Sequence, residues 1–361
     1  MQYGRIFRPF FFKLFPPMTT RIETEALVIG AGPVGLFQVF QLGLQGMACQ
    51  VVDALPHVGG QCVELYADKP IYDIPGIPVC TGRELVARLQ AQIAPFPTSF
   101  HLGQQVTHIE RQTDGRLQVD TTEGKHFLAS TVFIAAGVGA FVPRHMMLDG
   151  LDAFNGTQVF AQEPLPSRWA GQHLVVAGDG DSALQTCLQA CEGAEAAASV
   201  TLLHRRDQFS AQPDLIAHMR EACAAGRMRF VAGQPTGLRS ESGRLQALEL
   251  LNPQGESEWL TLDVLQTCLG LSPKLGPVAQ WGLSMERKQL VVNTENFGTS
   301  EPGIFAVGDI NTYPGKKKLI LCGFHEATLA AFGAVALLRP AEKTLLQYTT
   351  TSTLLHKRLG L

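Results

Sequence analysis

"HLVVAGDGDSALQ" (173–185) reads as a strand that runs through a glycine turn into a helix, and "ALVIGAGPVGLFQ" (26–38) reads the same way. Each ends its apolar run in G-x-G-x-x followed by Gly or Ala. In that spacing the first glycine permits a tight turn, the second lets backbone approach a pyrophosphate, and the third position lets helix pack on strand. The N–H groups at the helix start then face the phosphates. Gly30, Gly32 and Gly35 make the first set, and Gly178, Gly180 and Ala183 the second.

The two units part company at the end of their second strands. After "ACQVV" stands Asp53, whose carboxylate suits ribose hydroxyls. After "SVTLL" stand His204, Arg205 and Arg206. A carboxylate there would repel a 2′-phosphate, whereas guanidinium groups bind one through charge-assisted hydrogen bonds. The second ligand is therefore expected to be NADP(H) rather than NAD(H).

Working outward, strand-like and helix-like runs alternate from Ala26 onward, the pattern of a parallel sheet with crossover helices. "STVFIAAGVGAFVPR" (130–144) and "PGIFAVGDIN" (302–311) add two more buried-strand runs that end in glycine. Both are assigned to the first site. The second places Asp309 at a strand terminus ahead of a helix, where it suits the sugar-alcohol chain of a flavin and is equally compatible with capping that helix. The second unit closes at "TCLGLSPKLGPV" (267–278). The expected fold is thus α/β, with two Rossmann-like nucleotide-binding domains, the NADPH domain inserted into the FAD domain. Boundaries are expected at 1–19 for a flexible leader, 20–140 and 275–361 for the discontinuous FAD-binding domain, and 141–274 for the NADPH-binding domain.

Bulk properties agree with a two-domain enzyme. A chain of 361 residues exceeds what one core usually serves. With 45% hydrophobic and 17% charged residues it is neither disordered nor fibrous. A formal net charge of -3 gives no general drive toward nucleic acid or an anionic membrane, so any acidic partner must meet a local basic patch. No apolar run is read as reaching the roughly 18 residues of a membrane span. The 8 cysteines show no C-x-x-C and no zinc-ligand spacing, so no metal is expected and Cys187 and Cys191 read as one packed helix face in a reducing compartment. The basic, aromatic leader has no A-x-A cleavage site, Lys13 interrupts its apolar part, and Met18 is an alternative start.

The combination of "GAGPVG", "AAGVG", "GDGDSA", "HRRDQF" and "GIFAVGD" resembles the thioredoxin-reductase-like flavoproteins across 25–361. In that superfamily the first site holds FAD and the inserted domain holds NADPH. The catalytic C-x-x-C of thioredoxin reductases precedes the second glycine motif, where this chain reads "TQVFAQEPLPSRWAG". Nor does Cys62 in "GGQCVELYADK" have the C-x4-C partner of the glutathione-reductase branch. The chain looks most like the ferredoxin/flavodoxin–NADP reductases of this type. By that resemblance Gln61 and Tyr66 contact the flavin, with the Tyr66 ring stacked on it, and Val106 and Phe141 are further FAD contacts. Asp53 and Asp309 match the ribose and ribityl ligands. "YTTTSTLLHKRLGL" is similar to the tail that covers the flavin in this group, with Thr351 and Ser352 on its T-S positions and Thr349 where some members carry histidine.

The resemblance implies an FAD-dependent ferredoxin (flavodoxin)–NADP+ oxidoreductase that moves electrons between NADPH and a one-electron carrier protein. The alternative is a related NADPH-dependent flavoprotein reductase acting on another acceptor. No catalytic side chain is required, because a flavin accepts an electron pair and releases it singly. Ferredoxin or flavodoxin is the expected partner, with Lys316, Lys317 and Lys318 as a candidate docking patch. A cytoplasmic homodimer is expected by the same resemblance.

Overall fold

In the computed structural model the residues described are 21–161, 165–342 and 346–361, so the expected leader lies outside them. The chain divides into one unit of Met1–Ala140 with Lys274–Leu361 and another of Phe141–Pro273.

In the first unit the strand Ile22–Ile29 is buried along its apolar end, as a strand inside a covered parallel sheet must be. It pairs in parallel with Cys49–Val52 on one side and with His126–Ile134 on the other. Cys49–Val52 pairs in turn with Thr98–His101, also in parallel. The strand His126–Ile134 meets two neighbours along its far edge. Its start pairs antiparallel with Leu117–Thr121, and Val132–Ile134 pair in parallel with Ile304–Ala306. The two glycine-ended runs singled out in the sequence are therefore adjacent strands, the first ending beside Ile29 and the second beside Ile134.

Pro33 opens the helix Pro33–Leu44, where the missing proline N–H costs nothing. This helix packs on Ile320–Leu338, with the Phe37 and Phe324 rings 4.6 Å apart. Small side chains make the close packing possible, since Ala327, Ala330, Ala331 and Ala334 are buried. Ile320–Leu338 has 19 residues and is apolar enough on average to cross a membrane, although Glu326 breaks its apolar run. Its buried alanine face is that of a helix packed on a protein core.

The second unit holds a parallel sheet in the order Val159–Phe160, Val264–Thr267, His173–Ala177, Ser199–His204, Arg229–Ala232. The helix Asp181–Ala190 lies on it through Ala183, Leu184 and Cys187, which are fully buried. A three-stranded antiparallel sheet, Gln234–Glu241, Arg244–Leu251 and Ser257–Thr261, shares an apolar cluster with the parallel sheet, in which Leu248 and Leu250 join Val175, Ala177 and Leu203.

Candidate functional site

In the first unit the glycine turn has the geometry its spacing demands. Gly30 has φ +111°, and a Cβ there would stand 2.4 Å from the Ala135 carbonyl oxygen. At Gly35 a Cβ would meet the Gly30 oxygen at 1.9 Å, so only glycine lets the helix close on the turn. Gly32 is different. It is the N-cap of Pro33–Leu44, carries no side-chain cap, and has no acidic residue in the turn that follows. Its space is open up to the Gly60 Cα at 3.9 Å, so the helix start is left to an outside acceptor.

Asp53 leaves the end of Cys49–Val52 and turns back onto this loop. Its Oδ2 accepts the Ala31 N–H at 2.5 Å and its Oδ1 accepts the Leu55 N–H at 2.8 Å. Burial raises its proton affinity first, and the two N–H groups and His57 oppose that rise. His57 is a residue the sequence reading passed over. Its Nε2 lies 2.6 Å from Glu64 Oε1, while its Nδ1 is buried with no hydrogen-bond partner among the described residues.

Gln61 follows Gly60, and its Nε2 would lie 2.9 Å from a Cβ on Gly137, so this side chain reaches the "AAGVG" segment. Tyr66 Oη is 3.4 Å from Cys62 Sγ. Burial pushes the proton affinities of both groups up; their mutual hydrogen bond raises Tyr66 further and lowers Cys62, and the Asp309 charge adds to the rise in each. Cys62, Tyr66 and Asp309 therefore lie close enough to act on one another electrostatically. Val106 is buried at the start of Val106–Arg111. Asp309 sits in the short turn Gly308–Ile310, held from behind by residues the sequence did not announce. Glu326, fully buried, accepts from Gly308 N, Asn311 Nδ2, Tyr313 Oη and Lys316 Nζ.

Two placements bear on the tail and one on the linker. Ser352 caps the helix Thr353–Leu359 by accepting from Leu355 N at 3.2 Å, and Thr351 is exposed before it. That helix packs on Pro33–Leu44, where Arg358 bonds the Leu44 carbonyl, at the end opposite Gly32. Phe141 lies in the strand Ala140–Pro143, and its side chain falls outside the described residues.

The second unit repeats the turn. Gly178 has φ +157°, and a Cβ there would stand 2.4 Å from the Cys268 oxygen and 2.9 Å from the Ala183 Cβ. Gly180 is the N-cap of Asp181–Ala190 with no side-chain cap. Asp181 is occupied, because its Oδ1 accepts the Gln212 N–H at 2.7 Å. At the end of Ser199–His204 the His204 Nδ1–H donates to the Arg206 carbonyl at 2.9 Å, which fixes the ring. Arg205 and Arg206 are exposed. The neighbouring Asp207 is neutralised by Arg220, which lies 5.3 Å over the Phe209 ring and 5.7 Å over Phe230. Asp207 is thus not paired with the guanidinium groups of Arg205 or Arg206.

Burial raises the thiol proton affinity at Cys187, Cys191, Cys223 and Cys268 in this unit. Thiols so held are poor nucleophiles.

The pattern of one protein family, pyridine nucleotide-disulphide oxidoreductase, matches residues 24–328. The ferredoxin–NADP reductase of Albidiferax ferrireducens is 57% identical over 340 residues, covering 94% of this chain and 96% of the relative. That of Paracidovorax citrulli is 58% identical over 348 residues, with 94% and 96% covered. Among solved structures, the thioredoxin reductase of T. acidophilum aligns with a TM-score of 0.55 at 18% identity, covering 87% of this chain and 98% of that one. The bacillithiol disulfide reductase of Staphylococcus aureus aligns with a TM-score of 0.59 at 15% identity, covering 87% and 99%. These last two likenesses concern the fold alone.

Proposed function

Because this chain belongs to the pyridine nucleotide-disulphide oxidoreductase family and, within it, to the ferredoxin–NADP reductases, we propose that it passes electrons between NADPH and a ferredoxin or flavodoxin through bound FAD. The observation that carries this reading is the contrast between two glycine turns of the same geometry. One ends its second strand in Asp53 and the other in Arg205 and Arg206.

The residues of the first unit fit FAD. An uncapped helix start at Gly32, the open space above it and the unpartnered His57 Nδ1 beside Asp53 are unfilled hydrogen-bonding positions of the kind a dinucleotide completes. Gly32 with the turn that follows would hold the pyrophosphate, Asp53 the adenosine ribose, and Asp309 the ribityl chain. Gln61 and Tyr66 would line the ring system, with Val106 and Phe141 as further contacts. When bound, FAD supplies the exchange between two-electron and one-electron chemistry. In the second unit, Gly178, Gly180 and Ala183 would shape the pyrophosphate turn of NADPH, and His204, Arg205 and Arg206 would receive its 2′-phosphate.

The chain's own work is placement and electrostatics. Asp53 accepts hydrogen bonds and Arg205 and Arg206 supply positive charge. Of the basic run, Lys316 is spent on Glu326, so carrier docking falls to Lys317 and Lys318, which are exposed. The reading includes a homodimer, supported by Leu319, Leu321 and Leu337, which stay exposed on or beside the helix Ile320–Leu338. It also includes a reducing, cytoplasmic setting, supported by the free cysteines. Thr351 and Ser352 remain candidates for covering a flavin, whose position relative to the tail a dimer would decide.

The deciding experiment measures NADPH-dependent reduction of cytochrome c with and without added ferredoxin or flavodoxin, beside a disulfide substrate. A rate that depends on the carrier is expected. A rate indifferent to it, or turnover of the disulfide, overturns the proposal.

A further inference from the structure

We propose that Glu326 and Lys316 form a positioning ion pair for the turn that carries Asp309, and that their opposed charges set the reduction potential of the bound flavin. This deepens the FAD reading above and rests on it.

The pair is costly enough to need a reason. Glu326 is fully buried and the Lys316 side chain is 6% exposed, and taking two charges out of water costs several kcal/mol apiece unless attraction and hydrogen bonds offset it. Every oxygen of Glu326 is used. Oε2 accepts Gly308 N–H at 2.7 Å and Asn311 Nδ2 at 2.8 Å, and Oε1 accepts Tyr313 Oη at 3.0 Å and Lys316 Nζ. Lys316 Nζ then donates again, to the Gly308 carbonyl at 2.8 Å. Both polar groups of Gly308, the residue before Asp309, are therefore gripped by the same two side chains. Asn311 Nδ2 also reaches the Ala306 carbonyl at 2.8 Å, which ties the turn back to the strand Ile304–Ala306.

Neutral side chains could satisfy a glycine N–H and carbonyl at lower desolvation cost, and buried ion pairs are often replaced by apolar or neutral groups without loss of stability. What a neutral pair cannot supply is a fixed field of known sign in a low-dielectric pocket. Groups of this turn do act electrostatically on their surroundings, since the Asp309 carboxylate helps raise the proton affinities of Cys62 and Tyr66. A flavin gains negative charge on reduction, so a nearby positive charge favours the reduced form and a negative one opposes it. Glu326 and Lys316 pull in opposite directions, and the potential reflects their balance.

The test uses the holoprotein and reads the flavin spectrum during reductive titration against reference dyes. Glu326→Gln leaves Lys316 unbalanced and should shift the midpoint potential upward. Lys316→Met leaves Glu326 unbalanced and should shift it downward. The double variant Lys316→Met/Glu326→Gln should return close to wild type. Shifts of the same sign in both single variants, or unchanged potentials with a lowered Tm, overturn the proposal and leave a purely structural clamp. Where a single variant sheds its flavin, the comparison becomes FAD binding: the double variant should recover it, and a double variant as poor as the single overturns the proposal. A wild-type chain that carries no flavin refutes the FAD reading itself, and that result is visible before any variant is made.

Discussion

Gly30 and Ala135 approach so closely that a Cβ on Gly30 would stand 2.4 Å from the Ala135 carbonyl oxygen, and a Cβ on Gly178 would stand the same 2.4 Å from the Cys268 oxygen in the other unit. In both, the first glycine of the turn lies against the end of a strand more than eighty residues further along the chain. The second glycine has no such neighbour, since Gly32 has φ -71° and 3.9 Å of clearance.

That difference separates stability from binding. Gly30→Ala should destabilise the protein by about 1–3 kcal/mol from its backbone conformation alone, with the carbonyl overlap added. Gly32→Ala should leave the flavin-free protein as stable as wild type but weaken FAD. Denaturant unfolding and fluorescence titration with FAD, run on both variants, check the two outcomes. Equal destabilisation by both would contradict the assignment.

Arg205→Ala should weaken NADPH by about 1.5–3 kcal/mol, or roughly 10- to 150-fold in Kd, the scale of a hydrogen bond to a charged group. NADH binding should be unchanged, because it lacks the 2′-phosphate. Isothermal titration with both nucleotides decides it, and equal losses would show that Arg205 does not read that phosphate.

Asp53 predicts a pH effect with a definite sign. Burial raises its folded pKa above the ordinary 3.8, so within that window the folded state binds more protons than the unfolded one. Stability from this group is greatest below the window and declines as pH rises through the folded pKa. Asp53→Asn should flatten this part of the curve in the flavin-free protein while lowering FAD affinity at neutral pH. Melting temperatures of the two proteins compared from about pH 4 to pH 7 test it, since the ordinary carboxylates are common to both.

Lys317→Glu with Lys318→Glu should raise the KM for ferredoxin, by roughly tenfold at low ionic strength, and reduce the dependence of the rate on salt. Reduction of ferricyanide by NADPH should be untouched. An unchanged ferredoxin KM would remove this loop from the docking surface.

Much of the site was legible because its signals are local. A glycine that needs a positive φ, an uncapped helix start and the residue that ends the next strand all lie within about thirty positions, and their spacing is set by backbone geometry. The pairing of Val132–Ile134 with Ile304–Ala306 was half visible, since both runs were assigned to the first site on composition but nothing local orders them as neighbours. The basic run shows where such reading stops. Lys316, Lys317 and Lys318 are one charge cluster in sequence, yet the side chain of the first is buried against Glu326 and the other two are exposed. His57 was equally silent, because only the fold around Asp53 makes its Nδ1 a buried atom without a partner among the described residues.

By itself the amino-acid sequence determined that there are two nucleotide turns, their order, and the opposite charge at the ends of their second strands, since each depends on residues close together in the chain. Only the tertiary structure decided that Gly308 is held by Glu326 and Lys316, that Ser352 caps a helix resting on Pro33–Leu44, and which lysines of the basic run are exposed. Those facts depend on which distant segments the sheet and helix packing bring together, and on what burial then does to each charge.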